Sequence, residues 1–192
     1  EMKDYYAKWV HQIKTPIAAL RLLLEEEEPD RAAMEGEIYR IEQYVEFALQ
    51  YQRLEGGHKD LVFAHYSLES IVKKALKKTG VLFRRTKLAL ELGNLQTDVL
   101  TDEKWLVFVL EQVLTNAVKY TRKGKISIYL DPEKEKTLVV EDTGMGIRPE
   151  DLPRIFEWGY TGYNGRIKNR ATGIGLALCR QTMEMLGHRI SA

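Results

Sequence analysis

The segment Asp142-Thr143-Gly144-Met145-Gly146 follows a predicted strand over residues 137–141, and it decides how the carboxyl-terminal half of the chain is interpreted. A carboxylate at the end of a strand can accept a hydrogen bond from an exocyclic amine, which adenine presents and guanine does not present at that position. The two glycines allow the backbone to approach a flat ring or to adopt a positive φ. A lone Asp-x-Gly-x-Gly run is also compatible with a plain turn, so other motifs in the chain are needed to choose between a turn and a nucleotide-binding loop.

A second glycine loop, Thr172-Gly173-Ile174-Gly175-Leu176, opens a predicted helix over residues 174–186. Free amides and the positive end of the helix dipole suit a polyphosphate at such a position. The polar, glycine-containing stretch between the two loops, residues 160–171, suits a flap that closes over a nucleotide. An ordinary surface loop is the simpler interpretation of that stretch, and the two are compatible.

The run Leu114-Thr115-Asn116-Ala117-Val118-Lys119-Tyr120-Thr121 ends a predicted helix over residues 103–120. The amide oxygen of Asn116 could ligate magnesium that bridges phosphates, since magnesium favours hard oxygen ligands. A hydrogen bond to a neighbouring carbonyl is an equally good interpretation. Lys119, three positions later, could neutralise phosphate from the same face, and Tyr120 could lie against a base or ribose.

The first 55 residues have the pattern of two helices that share one apolar face. Apolar residues alternate four and three apart, which is the heptad spacing of a left-handed bundle. In the first helix these residues are Tyr6, Val10, Ile13, Ile17, Leu20 and Leu24, and after a turn at Glu28-Pro29-Asp30 they are Met34, Ile38, Ile41, Val45 and Ala48. Such a hairpin is too small to hold a core alone, so we expect a homodimer in which two hairpins form a four-helix bundle.

The first helix also contains His11-Gln12-Ile13-Lys14-Thr15-Pro16. His11 points about 140° away from the apolar face and Thr15 follows one turn later, so both are expected on the outside of the bundle. Pro16 removes one helical amide and should bend the helix beside the histidine. Neutral imidazole, with an ordinary pKa of about 6.5, can attack a phosphorus centre near neutral pH. Taken alone, an ordinary exposed histidine beside a kink is the more economical interpretation.

Composition excludes several classes of protein. The chain has 192 residues, of which 44% are apolar, enough to bury a core. Its 29 basic and 28 acidic residues nearly balance, which gives no reason to expect a nucleic acid partner. One cysteine excludes an intrachain disulfide, and no apolar run approaches the roughly 18 residues of a membrane span. Because Glu1 falls inside a helical pattern, we expect a segment of a longer protein with a membrane anchor upstream.

The pattern along the chain predicts three regions: a dimerising hairpin over residues 1–55, a linker over 56–66, and a second domain over 67–192. The second domain should contain helices over 67–79, 103–120 and 174–186. Strands are expected over 88–92, 99–101, 125–130 and 137–141, with residues 190–192 as the start of a truncated final strand. Strands and helices without strict alternation predict an α+β sandwich, in which helices cover one face of a mixed sheet.

In this order and spacing the motifs together are far more specific than each alone, and the chain resembles the cytoplasmic transmitter region of bacterial sensor histidine kinases over almost its whole length. Residues 11–16 resemble the phospho-acceptor box of that family, residues 116–120 its asparagine box, and residues 142–147 and 173–176 its two glycine boxes. Phe156 resembles the phenylalanine box. The sequences of residues 11–17 and 159–166 are most similar to those of the short intramembrane-sensing kinases that respond to envelope stress and peptide antibiotics.

The resemblance implies a dimerising hairpin followed by a GHKL-type (Bergerat) α/β sandwich that binds ATP and Mg²⁺. It implies autophosphorylation on His11, then transfer to an aspartate of a response regulator, at the cytoplasmic face of the cell membrane. Gln12 and Thr15 would complete the catalytic set. The nucleotide would be held by Asn116, which also ligates the metal, and by Lys119, Tyr120, Asp142, Gly144, Gly146, Phe156, Thr161, Thr172, Gly173, Ile174, Gly175 and Leu176.

Two positions depart from the family pattern. Most members have Glu or Asp after the histidine as general base, whereas Gln12 cannot take up a proton near neutral pH. We therefore expect Gln12 to orient the imidazole of His11, and the base stays open. Thr15 matches the position that helps to remove phosphate from the regulator, so phosphatase activity is also expected. Gln112 stands where hydrolytic relatives have a water-activating Glu, and Glu111 should face about 100° away from it.

Two alternatives to a histidine kinase remain at this stage. An ATP-hydrolysing conformational machine could use the same nucleotide fold, although Gln112 disfavours it. A non-catalytic scaffold could bind nucleotide and a partner helix without ever becoming phosphorylated. Whether phosphate transfer occurs within one protomer or between two also stays open, because it depends on the handedness of the hairpin loop.

Overall fold

The computed structural model describes residues 2–55, 61–163 and 173–192, with side chains at all of these positions except 2–9, 11, 12, 54 and 55. The chain forms two compact units, residues 1–57 and 58–192. The predictions for Thr172 and for residues 164–171 of the expected flap fall outside the described residues.

The first unit is a helical hairpin, as predicted. Helix α1 spans Met2–Leu24 and contains Pro16, helix α2 spans Arg31–Glu55, and the two pack against each other. At the start of α2, Asp30 Oδ1 accepts a hydrogen bond from the Ala33 amide at 3.0 Å, which satisfies a free helix-end donor. Val10 and Ile17 on the predicted apolar face are 52% and 38% exposed, so a single chain leaves part of that face uncovered.

The second unit combines helices with two small sheets, which confirms the predicted α+β class. Its elements are β1 (Ala64–Ser67), α3 (Leu68–Thr86), β2 (Ala89–Leu92), β3 (Asp98–Thr101), α4 (Glu103–Tyr120), β4 (Lys125–Leu130), β5 (Leu138–Asp142), a 3-10 helix (Leu152–Arg154) and α5 (Gly175–Met185). Strand β1 pairs antiparallel with β3. Strand β4 is central in the other sheet, parallel to β2 and antiparallel to β5.

Helix α4 is the centre of the second unit, because α3, α5 and β5 all contact it. Asp102 caps its amino end by accepting hydrogen bonds from Lys104 N at 3.0 Å and Trp105 N at 3.3 Å. Under the helices lie Ile126 and Ile128, which alternate along β4 and are 0% and 1% exposed. The core therefore fixes α4 relative to the sheet, and it fixes the carboxyl end of α4 where the asparagine run lies.

The structure differs from the sequence prediction in three places. Helix α3 continues to Thr86 instead of ending at Thr79, so the predicted boundary is wrong by two turns. Residues 64–66, which fall in the predicted linker, form part of β1 and pair with β3 in the second unit. Residues 188–192, all of them described, form neither helix nor strand. No helix within the described ranges combines the length and the apolar character needed to cross a membrane.

Candidate functional site

The first glycine loop is joined directly to the carboxyl end of α4. Asp142 ends β5, and its Oδ1 accepts hydrogen bonds from Thr121 Oγ1 at 3.2 Å and from the Gly144 amide at 2.8 Å. The Met145 amide donates to the Tyr120 carbonyl at 3.3 Å, which ties the loop to the helix a second time. Two motifs that lie more than twenty residues apart in the sequence therefore meet, as the nucleotide interpretation requires.

The carboxylate of Asp142 is well placed to receive a ligand. Its side chain is exposed, and both of the bonds just described use Oδ1. Within the described residues Oδ2 accepts no hydrogen bond, although Oδ1 is held by two donors. A carboxylate fixed through one oxygen presents the other in a defined direction, which suits recognition of an exocyclic amine.

The two glycines of this loop are required for different reasons. A Cβ atom on Gly144 would lie 2.5 Å from Asp142 Oδ1, 2.7 Å from the Tyr120 carbonyl and 2.8 Å from Thr121 Oγ1, so only glycine fits. Gly146 has open space around it but a φ of +66°, a conformation that side chains disfavour. One glycine thus permits close packing and the other permits the turn.

The predicted asparagine box lies on the last turns of α4. Asn116 is half-buried, and its side chain makes no hydrogen bond inside the described part of the chain, so the alternative of a bond to a nearby carbonyl is not what the structure shows. The Lys119 ammonium lies 5.0 Å from the centre of the Tyr120 ring. Burial raises the pKa of the Tyr120 hydroxyl, so the hydroxyl stays protonated at physiological pH. An amide oxygen, a cation and an aromatic ring therefore lie within two helical turns.

The second glycine loop packs against the backbone that follows the phenylalanine position. The Gly159 amide donates to the Gly173 carbonyl at 2.9 Å, and a Cβ atom on Gly173, which has a φ of +68°, would lie 2.4 Å from the Gly159 carbonyl carbon. Ile174 is buried, and Gly175 and Leu176 begin α5. The loop therefore holds the start of α5 against residue 159.

Helix α5 connects the second glycine loop, residues 173–176, to α4. The buried thiol of Cys179 lies 3.9 Å from the Val109 carbonyl of α4. The guanidinium of Arg180, the next residue on α5, lies 5.9 Å from the centre of the half-buried Phe156 ring. Both glycine loops thus adjoin the same helix, the first at its carboxyl end and the second through α5. Thr161 is half-buried in the segment between them.

The histidine predicted to accept phosphate lies on α1, in the other unit. The side chains of His11 and Gln12 fall outside the described residues, so the predicted direction of the imidazole stays a prediction. Thr15, one turn further along α1, is exposed as expected, and Pro16 is buried. The described end of the predicted reactive segment therefore has two polar, accessible positions, Lys14 and Thr15.

Sequence reasoning missed two polar residues that shape the site. Thr121, to which the sequence pattern assigned no role, is 3% exposed and donates to Asp142. Asp151, which the sequence pattern did not single out, is 5% exposed, and both of its oxygens bond to residues further along the chain. Burial of a polar side chain was the missing signal, and a single sequence does not show it.

The carboxylate nearest to the expected position of a water-activating group is engaged elsewhere. Glu111 Oε2 lies 2.9 Å from Lys78 Nζ of α3, and the Glu111 side chain is only 7% exposed. Gln112, its neighbour, is buried and carries no charge. This arrangement agrees with the expectation that Glu111 faces away from the asparagine turn. It also leaves the described site without a carboxylate at that point of α4.

The described residues contain no group of three or more His, Cys, Asp or Glu side chains that could hold a metal ion. A magnesium ion at Asn116 would therefore need oxygens from another source, and nucleotide phosphates are such a source. The half-buried amide of Asn116, with no bond to its described neighbours, fits a hard-oxygen ligand of that kind.

Comparison with known proteins places these features in a family. Residues 101–192 match the family described as histidine kinase-, DNA gyrase B-, and HSP90-like ATPase. The chain is 38% identical to Sensor protein BceS of Halalkalibacterium halodurans over 187 residues, which are 96% of this chain and 56% of the relative. It is 34% identical to Sensor histidine kinase YxdK of Bacillus subtilis, over 97% of this chain and 59% of the relative. The chain thus spans little more than half the length of these curated relatives.

Solved structures show the same fold. Histidine kinase ThkA, in a complex with response regulator protein TrrA, superposes with a TM-score of 0.64 at 18% identity, over 96% of this chain and 55% of ThkA. Full-length ShkA in complex with AMPPNP gives a TM-score of 0.62 at 21% identity, over 96% of this chain and 41% of ShkA. The chain is therefore similar to the sensor histidine kinases over almost its whole length, and residues 101–192 match the ATPase family that these kinases share with DNA gyrase B and HSP90.

Proposed function

We propose that this chain phosphorylates itself on His11 with ATP and then passes the phosphoryl group to an aspartate of a response regulator. The observation that carries the proposal is the joint between α4 and the first glycine loop, where Asp142 Oδ1 accepts from Thr121 and Gly144. That joint brings the asparagine box and an adenine-type carboxylate to one end of one helix. The relatives named as sensor kinases support the same function.

The nucleotide-binding part of the proposal assigns a role to each group at that end of α4. Oδ2 of Asp142 accepts a hydrogen bond from the adenine amine, while Tyr120 lies beside the base or ribose. Lys119 neutralises phosphate charge, and Asn116 supplies an oxygen ligand to Mg²⁺, which when bound reduces the negative charge on the phosphates. Gly173 and the amides that open α5 receive the remaining phosphate oxygens.

The proposed reaction needs little covalent help from the protein, because phosphoryl transfer depends mainly on positioning and charge neutralisation. An imidazole nitrogen of His11 attacks the γ-phosphorus of ATP, a nitrogen–phosphorus bond forms, and ADP leaves with the electron pair of the broken oxygen–phosphorus bond. The carbonyl of Gln12 accepts a hydrogen bond from the N–H of the other ring nitrogen and so orients the ring. Thr15, exposed one turn later, serves the regulator's dephosphorylation.

We also infer a homodimer. Apolar side chains remain exposed on both helices of the hairpin, including Val10 at 52%, Ile38 at 47% and Val45 at 45%. These positions belong to the heptad pattern, and pairing two hairpins into a four-helix bundle would cover them. The regulator would then dock on the outside of the bundle near Thr15. The solved complex of ThkA with TrrA supports a partner of that class.

The place of action follows from the relatives rather than from this chain. They are longer than the chain and are named as sensors, which supports a protein anchored in the membrane with this region at its cytoplasmic face. The names BceS and YxdK also agree with the narrower resemblance to short envelope-stress kinases. The signal and the regulator are outside the proposal.

The central test is labelling with ATP that carries a labelled γ-phosphate. The chain should acquire label that survives alkali and is lost in acid, as expected of phosphohistidine, and His11→Gln should abolish the label while nucleotide affinity is unchanged. Lys14→Gln, a neighbouring exposed position on α1, is the matched control and should keep the label. Steady release of phosphate without label would instead indicate an ATPase, and nucleotide binding without either product would indicate a scaffold.

A further inference from the structure

Asp151 is a buried carboxylate in a turn that otherwise lies at the surface. Its side chain is 5% exposed, although Leu152, Pro153 and Arg154 directly after it are all exposed. Its position before the 3-10 helix suggests a helix cap, but its side chain makes no capping hydrogen bond. A buried charge needs bonded partners, so the location of those partners shows what the residue is for.

Both oxygens of Asp151 bind one short segment, residues 160–163. Oδ1 accepts a hydrogen bond from the Tyr160 hydroxyl, and Oδ2 accepts one from the Tyr163 amide at 3.0 Å. Between these residues, Gly162 has a φ of +57°, and a Cβ atom there would lie 3.2 Å from Oδ2. The glycine therefore lets the segment wrap closely around the carboxylate.

Two arginines hold the same segment from outside. The Arg148 guanidinium lies 3.3 Å from the centre of the Tyr163 ring, and the Arg154 guanidinium lies 4.3 Å from the centre of the Tyr160 ring. These arginines flank Asp151 in the sequence, and the Asp151 amide donates to the Arg148 carbonyl at 2.9 Å. One short stretch of chain thus provides a carboxylate that binds the segment at both ends and a guanidinium over each of its two tyrosine rings.

The segment held in this way adjoins the second glycine loop. Gly159, directly before Tyr160, donates its amide to the Gly173 carbonyl at 2.9 Å. Thr161, expected to contact nucleotide, lies between the two residues that Asp151 binds. The position of Asp151 therefore determines the position of backbone on one side of the proposed phosphate site.

We propose that Asp151 is a positioning residue for the nucleotide: it holds residues 160–163 in the conformation that binds ATP, before ATP arrives. The proposal rests on the proposed function, because it assumes a nucleotide between the two glycine loops. Asp151 does not touch the reacting atoms in this account. Its loss should weaken nucleotide binding, because the segment would then have to be ordered at the expense of binding free energy.

The experiment compares variants in the whole chain, with a fluorescent ATP analogue and Mg²⁺ as the probe. Tyr160→Phe removes one hydrogen bond to Asp151 and keeps the ring against Arg154, and it should raise Kd about tenfold. Asp151→Ala should raise Kd more, by about thirtyfold, while Asp151→Asn keeps acceptor and shape and should stay within about threefold of the parent. Tyr129→Phe is the matched control, since it removes a phenol–carboxylate bond, to Glu141, on the solvent face of the sheet.

Two further readouts separate positioning from a general structural role. Hydrogen exchange at the Tyr163 amide should accelerate in Asp151→Ala, because that amide loses its acceptor, while exchange at the amides in the middle of α4 stays at the parent rate. The ATP concentration for half-maximal labelling of His11 should rise, while the rate at saturating ATP is kept. The proposal would be overturned if Asp151→Ala and Tyr160→Phe bound the ATP analogue with the same Kd as Tyr129→Phe. It would also be overturned if these variants lowered the labelling rate at saturating ATP while the ATP concentration for half-maximal labelling stayed unchanged.

These experiments distinguish failure of the inference about Asp151 from failure of the proposed kinase function. If the parent chain binds the ATP analogue but is never labelled on His11, the kinase proposal fails, while the Kd series still decides the role of Asp151. If the parent chain binds no nucleotide, both fail together. If labelling occurs and the variants bind as tightly as the parent chain, only the inference about Asp151 is refuted.

Discussion

Replacing Gly144 by alanine should be far more damaging than the same change two residues later. The added Cβ would meet Asp142 Oδ1 at 2.5 Å, the Tyr120 carbonyl at 2.7 Å and Thr121 Oγ1 at 2.8 Å. All three distances are shorter than real carbon contacts, and all three atoms belong to the joint between α4 and the loop. Relief requires this joint to open, so the Thr121–Asp142 bond is lost.

The cost can be worked from those contacts. Overpacking of a closely packed site typically costs about 1–3 kcal/mol, and loss of a hydrogen bond to a carboxylate adds to it, so we expect about 3 kcal/mol for Gly144→Ala. Gly146→Ala meets no atom within 4 Å and only forces a side chain into a φ of +66°. That strain costs about 1–2 kcal/mol. The two variants therefore form a matched pair.

The assay is urea unfolding followed by tryptophan fluorescence. A Trp9→Phe background leaves Trp105 and Trp158, both in the second unit, as the reporters. Titration with an ATP analogue in the same background should show binding lost in Gly144→Ala and only weakened in Gly146→Ala. Equal destabilisation of the two variants would contradict the reasoning, and so would intact nucleotide affinity in Gly144→Ala.

Three further outcomes follow from buried groups. Lys78→Ala leaves the carboxylate of Glu111 buried without its cation and should lower the free energy of unfolding by about 1–3 kcal/mol, whereas Lys73→Ala breaks an exposed pair and should change it by less than about 0.5 kcal/mol in urea titrations. Burial raises the pKa of Cys179, so its stabilising contribution is complete below the ordinary thiol pKa of 9.0 and is lost above it. The free energy of unfolding of the parent chain should fall between pH 8 and pH 10, and it should fall less in Cys179→Ala. A thiol reagent should label Cys179 of the parent chain only when the chain unfolds. Burial lowers the pKa of His188, so the free energy of unfolding should fall as the pH falls below 6.5. His188→Gln should remove that part of the acid sensitivity. Identical plots of unfolding free energy against pH for the variant and the parent chain would refute this prediction.

Helix α4 shows how much could be predicted from the sequence. Its bounds, Glu103–Tyr120, agree with the prediction because Asp102 is a strong cap and the apolar pattern is regular. The positions of Asn116 and Asp142 at one end of the molecule could be expected only through the family resemblance. The hydrogen bond from Thr121 Oγ1 to Asp142 Oδ1, which joins the end of α4 to the first glycine loop, was not expected.

Helix α3 and Asp151 show where sequence reasoning failed. Gly80 was a reasonable stop signal, but a glycine in a helix costs only about 1 kcal/mol, and the half-buried residues after it, Val81 to Phe83, continue the helix. Asp151 was not predicted to have any role, because its partners lie about ten residues downstream. Both errors have the same cause, because local preference was overridden by packing that a single sequence does not reveal.

The hydrogen bond between Gly159 and Gly173 has a consequence for engineering. Because the Gly159 amide donates to the Gly173 carbonyl, the backbone before Tyr160 is fixed to the backbone before α5. The entropy of closing a chain between two fixed points grows only slowly with the number of residues between them. A peptide tag inserted between these two points should therefore leave the start of α5 anchored, which offers a place to attach a reporter to this chain.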